Sequence, residues 1–60
     1  MAASDADRER AAELYAEARR LHGEQDYFAA RGRYEESLRV HEDAEVREAY
    51  LRLMATIGPL

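Results

Sequence analysis

The chain has 60 residues and a formal charge of -4, from 13 acidic and nine cationic side chains, and it contains no cysteine. This length allows one small domain, the lack of cysteine excludes disulfides, and the scattered, acid-rich charge argues against a nucleic-acid partner. Because the sequence has no run of about 18 apolar residues and no signal-peptide core, it predicts a soluble, cytoplasmic protein with no membrane partner.

The first predicted element is a helix over residues 5–23. Ser4 precedes it and is followed three residues later by Asp7, which is typical of a helix N-cap with acids in the first turn. Apolar residues then recur at intervals of three and four, as on one face of a helix. They are Ala11, Leu14, Tyr15, Ala18, Leu21 and His22. Gly23 predicts a left-handed stop, and residues 1–4 are predicted to form a flexible N-terminus.

The second predicted helix covers residues 26–41 and begins at Asp26, whose side chain can cap it. Its inner face consists of Tyr27, Ala30, Tyr34, Leu38 and His41. Ser37 lies on the same face, and we expect its hydroxyl to be satisfied within the helix. Gly32 costs about 1 kcal/mol relative to Ala, so either a neighbouring backbone approaches it or the position is exposed.

A third helix is predicted over residues 44–57, opened by Asp43 and ended by Gly58 and Pro59. Its apolar stripe is Val46, Ala49, Tyr50, Leu53, Met54 and Ile57. Two pairs with the acid one turn before the base support these helices; they are Glu35 with Arg39 and Glu48 with Arg52. Because short connections favour antiparallel neighbours, the predicted fold is all-α, an antiparallel helix-turn-helix plus a third C-terminal helix in one domain over residues 5–58.

Residues 11 to about 44 carry a set of small and large side chains suited to a helical hairpin. The matching positions are Leu14, Ala18, Leu21, Asp26, Tyr27, Ala30, Tyr34, Ser37 and Leu38. The small residues let two antiparallel helices cross closely, while the large ones fill the space beside the crossing. In this pattern the stretch resembles a tetratricopeptide repeat. A weaker resemblance is to the microtubule-interacting-and-trafficking three-helix bundle, whose second helix also has the Tyr-x-x-Ala-x-x-x-Tyr pattern of Tyr27, Ala30 and Tyr34.

The tetratricopeptide resemblance implies a protein-binding surface and no catalysis. In that family the inner face of the first helix lines a groove, and this face corresponds here to Ala12, Tyr15, Arg19 and His22. The Lys and Asn residues with which some members hold a terminal carboxylate are missing from these positions, so the resemblance does not extend to binding chaperone tails. All nine cationic residues are Arg, a bias that indicates either a GC-rich, bacterial gene or the better fit of Arg than Lys to ion-paired interfaces.

His22 and His41 are the candidates for acid-base or metal chemistry. Their places near the ends of two antiparallel helices put about 20 Å between them, which excludes a shared metal within one chain. Each is interpreted as a helix-terminal residue close to the local dipole, and the glutamates are interpreted as a solvated face. With no phosphate loop, nucleophile elbow or zinc spacing, the sequence predicts a protein that is not an enzyme and binds no cofactor or metal.

Several apolar residues have no predicted partner within three helices. They are Tyr15, Phe28, Val40, Leu51 and Met54. A single repeat cannot cover both of its faces, so these residues indicate an interface, although isolated exposed apolar residues are also ordinary. The predicted function is protein–protein interaction, by self-association as a homodimer or by docking to a larger protein, with Phe28 and Leu51 among the contacts. The alternative is a structural subunit or assembly factor of a larger complex.

Overall fold

Three helices follow one another in the computed structural model, which describes residues 4–58. They are α1 (Asp5–Gly23), α2 (Tyr27–Val40) and α3 (Ala44–Ile57). Helix α1 packs on α2, and α2 packs on α3, which confirms the all-α fold with an antiparallel hairpin and a third helix. Helix α2 is one residue shorter at each end than predicted. No helix in the described part of the chain is long and apolar enough to cross a membrane.

Two of the three predicted N-caps form. The Ser4 hydroxyl accepts a hydrogen bond from the Asp7 amide at 3.1 Å, and the Asp43 carboxylate accepts one from the Glu45 amide at 2.8 Å. Asp26 occupies the N-cap position of α2 but makes no side-chain cap bond, so this prediction is wrong. Its backbone has ψ 73°, whereas the extended backbone at Ser4 and Asp43 directs a side chain toward the first-turn amides. Of the predicted flexible segment, residues 1–3 lie outside the described residues.

The turn between α1 and α2 closes two residues later than predicted. Gly23 is still helical, and the left-handed residue is Gln25, with φ 65°. The Asp26 amide donates to the Leu21 carbonyl at 2.9 Å, and the Gln25 amide donates to the His22 carbonyl at 3.0 Å. This pair of bonds is a Schellman motif, which requires its left-handed residue at Gln25 rather than at Gly23. Gly58 does end α3 with φ 90°, while Pro59 lies outside the described residues.

The core lies where α1 crosses α2 and continues under α3. Ala18 and Ala30 are fully buried at the crossing, and the Tyr34 ring is almost fully buried beside them. From α3, Val46 and Leu53 complete the buried cluster. The small residues allow the close approach of two backbones, and the larger ones fill the adjoining space.

Ser37 links α2 to α1 rather than to its own helix. Its side chain is fully buried, and its hydroxyl donates to the Ala11 carbonyl at 2.8 Å. The prediction of a bond within the helix was wrong because this face of α2 is pressed against α1, which places a carbonyl of the neighbouring helix within reach. A buried hydroxyl needs such a partner, and this one has it.

Helix α3 is held to α2 by a polar link as well as by apolar packing. The Tyr50 hydroxyl donates to Glu35 at 2.8 Å, and the Arg31 side chain donates to the same carboxylate oxygen at 3.2 Å. The predicted pairs Glu35 with Arg39 and Glu48 with Arg52 are not among the ion pairs of residues 4–58. The Glu35 carboxylate bonds instead to Tyr50 on α3 and to Arg31, one turn earlier on α2.

Gly32 marks no close approach of helices. No described atom outside its own helix lies within 4 Å of where a Cβ would stand, and its φ is that of an ordinary helical residue. Of the two readings of this glycine, the structure supports the tolerated, open position.

Candidate protein-binding groove

A groove runs between α1 and α3, with α2 behind it. Because α1 and α3 both lie antiparallel to α2, they run in the same direction along the two sides of this groove. Its volume is about 390 Å³. The lining residues are Tyr15, Arg19 and His22 from α1, Tyr34 from α2, and Glu45, Glu48, Ala49 and Arg52 from α3. Three of the four residues predicted for the inner face of the first helix therefore line one concave surface.

Aromatic rings form the floor of the groove. The Tyr34 ring centroid lies 6.1 Å from that of Tyr15, 6.1 Å from that of His22 and 6.5 Å from that of Tyr50. His22 Nδ1 and the Tyr34 hydroxyl are hydrogen-bonded at 3.1 Å. Burial raises the pKa of the Tyr34 hydroxyl, so this group stays neutral. The rings of the floor are consequently packed against one another.

His22 lies in the last turn of α1, where the sequence interpretation places it. Its ring also packs edge-on against Tyr27 and Tyr34 and is hydrogen-bonded to the Tyr34 hydroxyl. His41 lies at the other end of α2, as its C-cap, and lines a different cavity. Among residues 4–58, no three metal-ligating side chains are grouped as a metal ion would require.

Charged side chains form the walls of the groove. The Arg19 guanidinium lies over the Tyr15 ring, 5.7 Å from its centroid, and Arg52 stands on the α3 side. Glu45 and Glu48 precede Arg52 on α3. None of these four charges forms an ion pair with another residue of the described range. They are available to a bound partner.

Ala12 extends the groove toward the N-terminal ends of α1 and α3. It lines an adjoining cavity of about 240 Å³ together with Tyr15, Glu45 and Val46. Tyr15 and Glu45 also line the main groove, so the two cavities are neighbours. Each of the four residues predicted on α1 thus lines one of two neighbouring cavities.

Phe28 and Leu51 do not belong to the groove. Their exposed fractions are 74% and 56%, and neither lines a described cavity. Val40 and Met54 are half-buried, and Tyr15 is half-buried beside Tyr34. The sequence-predicted site is therefore split into a groove and two exposed apolar side chains elsewhere.

The α3 wall of the groove was missed by sequence reasoning. Glu45, Glu48 and Arg52 follow one another at intervals of three and four, beside the apolar stripe of α3. That spacing indicates a shared face, but only the packing of α3 on α2 turns this face toward α1.

Compared with known proteins, the chain matches no family model, no curated protein and no solved structure.

Proposed function

We propose that this protein is a tetratricopeptide-like protein-binding module that holds a segment of a partner protein in the groove between α1 and α3. The observation that carries the proposal is the convergence of Tyr15, Arg19 and His22 on one aromatic floor, opposite the polar face of α3. Binding surfaces of proteins commonly combine rigid aromatic groups with Arg at a polar rim. No step of this function requires a catalytic group or a cofactor.

The packing of the hairpin supports the tetratricopeptide-like part of the proposal. Ala18 and Ala30 are each 0% exposed, at the positions where the resemblance places small residues. Tyr34, the large residue that follows Ala30 by one turn, is 1% exposed. Helix α3 packs on α2 and supplies the second wall of the groove.

Selection from a library of random peptides tests the proposal. We expect a peptide to be selected, and we expect its affinity to fall at least about tenfold in the double variant Arg19→Ala and Arg52→Ala, because both side chains rim the groove. Arg10→Ala is the matched control, since Arg10 is exposed and outside the groove. Equal affinity in all three proteins would contradict the proposal.

A role as a structural subunit or assembly factor is the second candidate, and it is favoured by the exposure of Phe28 and Leu51. Such side chains mark surfaces that a larger partner covers. Circular dichroism distinguishes the two. A binding module is helical by itself at micromolar concentration, whereas a subunit that depends on its complex shows weak helicity until the partner is added.

A further inference from the structure

We infer that the groove is polarised in charge and selects a mixed-charge segment, with acidic side chains at the end near Arg19 and Arg52 and basic side chains at the end near Glu45 and Glu48. This inference rests on the proposed function and specifies the partner. The bound segment is an extended stretch of polypeptide, and its charges come from side chains within the chain.

The order of residues on the two walls gives the polarity. Along α3 the groove-lining charges run from Glu45 through Glu48 to Arg52. Along α1, which runs in the same direction, the lining runs from Tyr15 through Arg19 to His22. Arg52 therefore lies at the C-terminal end of the groove, Arg19 lies one turn before that end on α1, and the two glutamates lie toward the N-terminal end of α3. Opposite charges on a partner would complement both ends at once.

The charged side chains that line the groove form no ion pairs within residues 4–58. Three other arginines of α2 and α3 form ion pairs: Arg33 with Glu17 at 3.0 Å, Arg31 with Glu35 at 3.2 Å and Arg47 with Glu42 at 2.6 Å. Arg39 forms none within residues 4–58. Arg19 and Arg52 have no such pair within residues 4–58. At the acidic end, Arg8 is also present, and it lies 3.9 Å from Asp5.

The helix sets the spacing that a partner needs. Arg52 follows Glu45 by seven positions, which corresponds to about 10 Å along α3. An extended peptide covers this distance in about three residues. Between the charges the lining is Tyr15, Tyr34 and Ala49, so the central residues of the segment meet an aromatic and aliphatic surface. The preferred segment has basic residues, about three apolar residues, and then acidic residues, or the reverse order with the chain direction inverted.

Three acetylated and amidated peptides of equal length test this inference, because the blocked ends leave only side-chain charges. One has two lysines, the central residues Ala-Leu-Ala and two glutamates; the second has glutamates at both ends and the third lysines at both ends. By fluorescence anisotropy at low salt, we expect the mixed peptide to bind at least about fivefold more tightly than either of the others.

Reversing the acidic end of the groove should change the preference. In the double variant Glu45→Arg and Glu48→Arg, we expect the peptide with glutamates at both ends to become the tightest ligand. The double variant Glu9→Arg and Glu13→Arg changes the same number of charges on exposed positions of α1 outside the groove, and it should retain the preference for the mixed peptide. Circular dichroism checks that each variant keeps its helices.

Two results would overturn the inference. The first is equal binding of the three peptides, or a preference that the Glu45 and Glu48 variant does not alter. The second is a gain in affinity on unblocking the C-terminus that exceeds the contribution of the glutamates, because the groove would then recognise a terminal carboxylate. The proposed function would survive either result under one condition. The random library would have to give an uncharged peptide that binds the wild type and no longer binds when Arg19 and Arg52 are changed.

Discussion

Ala18 and Ala30 set the distance between α1 and α2. Both are fully buried at the crossing, so neither has room for additional atoms. We expect Ala18→Leu to lower the free energy of unfolding by about 1–3 kcal/mol, because a well-packed core accommodates extra methylene groups only by shifting its neighbours. Urea denaturation measures the change. Ala16→Leu, at an exposed position of the same helix, should stay within about 0.5 kcal/mol of the wild type.

Gln25 carries the backbone strain of the first turn. Its φ of 65° is a left-handed conformation in which a Cβ is unfavourable. We expect Gln25→Gly to raise the free energy of unfolding by about 1 kcal/mol, since glycine adopts this conformation without that penalty. Gln25→Ala is the control, because alanine keeps a Cβ at this left-handed position and should not gain stability. A loss of stability in Gln25→Gly would mean that the Schellman turn is not what closes α1.

Single residues also show where sequence reasoning succeeds and where it stops. Ser4 and Asp43 were predicted as caps because capping depends on neighbours a few positions away. Ser37 and Glu35 were assigned wrong partners: Ser37 bonds to Ala11 on α1, and Glu35 bonds to Tyr50 on α3 and to Arg31 one turn earlier on α2. Caps such as those at Ser4 and Asp43 depend on residues a few positions away in the sequence. Which of several possible partners a side chain bonds to depends on how the helices pack.

At the scale of whole helices, the attachment of α3 to α2 depends on ionisation. The hydrogen bond from Tyr50, with a smaller effect from Arg31, lowers the pKa of the Glu35 carboxyl. The same bond to the Glu35 carboxylate raises the pKa of the Tyr50 hydroxyl. A carboxyl with a lowered pKa in the folded state stabilises the fold above its unfolded pKa, and this contribution is lost as the pH falls through the folded value.

We therefore expect the free energy of unfolding to decrease as the pH falls below about 4.3, the ordinary pKa of glutamate, and to decrease less in Glu35→Gln than in the wild type. Urea denaturation across this pH range gives both curves. Glu13→Gln, at an exposed position outside the α2–α3 contact, is the control and should follow the wild type. Identical curves for the wild type and Glu35→Gln would show that the link to Tyr50 does not contribute to stability.

The three elements themselves could be predicted because each has an apolar stripe of helical period and recognisable ends. The groove could be predicted only in part. Its α1 wall followed from a resemblance, but Glu45, Glu48 and Arg52 became a second wall only through the angle at which α3 leaves the His41 turn. That angle is set by contacts such as Leu53 in the core and Tyr50 on Glu35, which no periodicity encodes.

The whole molecule has little interior to support itself. Its extents are 33, 19 and 15 Å, and the buried cluster draws on five side chains from three helices. Domains of this size bury only about 60% of the surface of the unfolded chain and are often stabilised by association. Phe28 and Leu51 are large apolar residues that lie on the surface and do not contribute to this small core.

We therefore expect the protein to self-associate through Phe28 and Leu51, because burying these side chains would add to the stability of a small core. We expect sedimentation velocity to show that the fraction of homodimer increases from low to high micromolar protein concentration. The melting temperature should rise with concentration as well. The double variant Phe28→Glu and Leu51→Glu should remain monomeric and helical, while Ala29→Glu, at an exposed neighbouring position, should still dimerise. Since neither side chain lines the groove, peptide binding should survive in the monomeric variant. A wild type that stays monomeric throughout would contradict self-association through these two side chains.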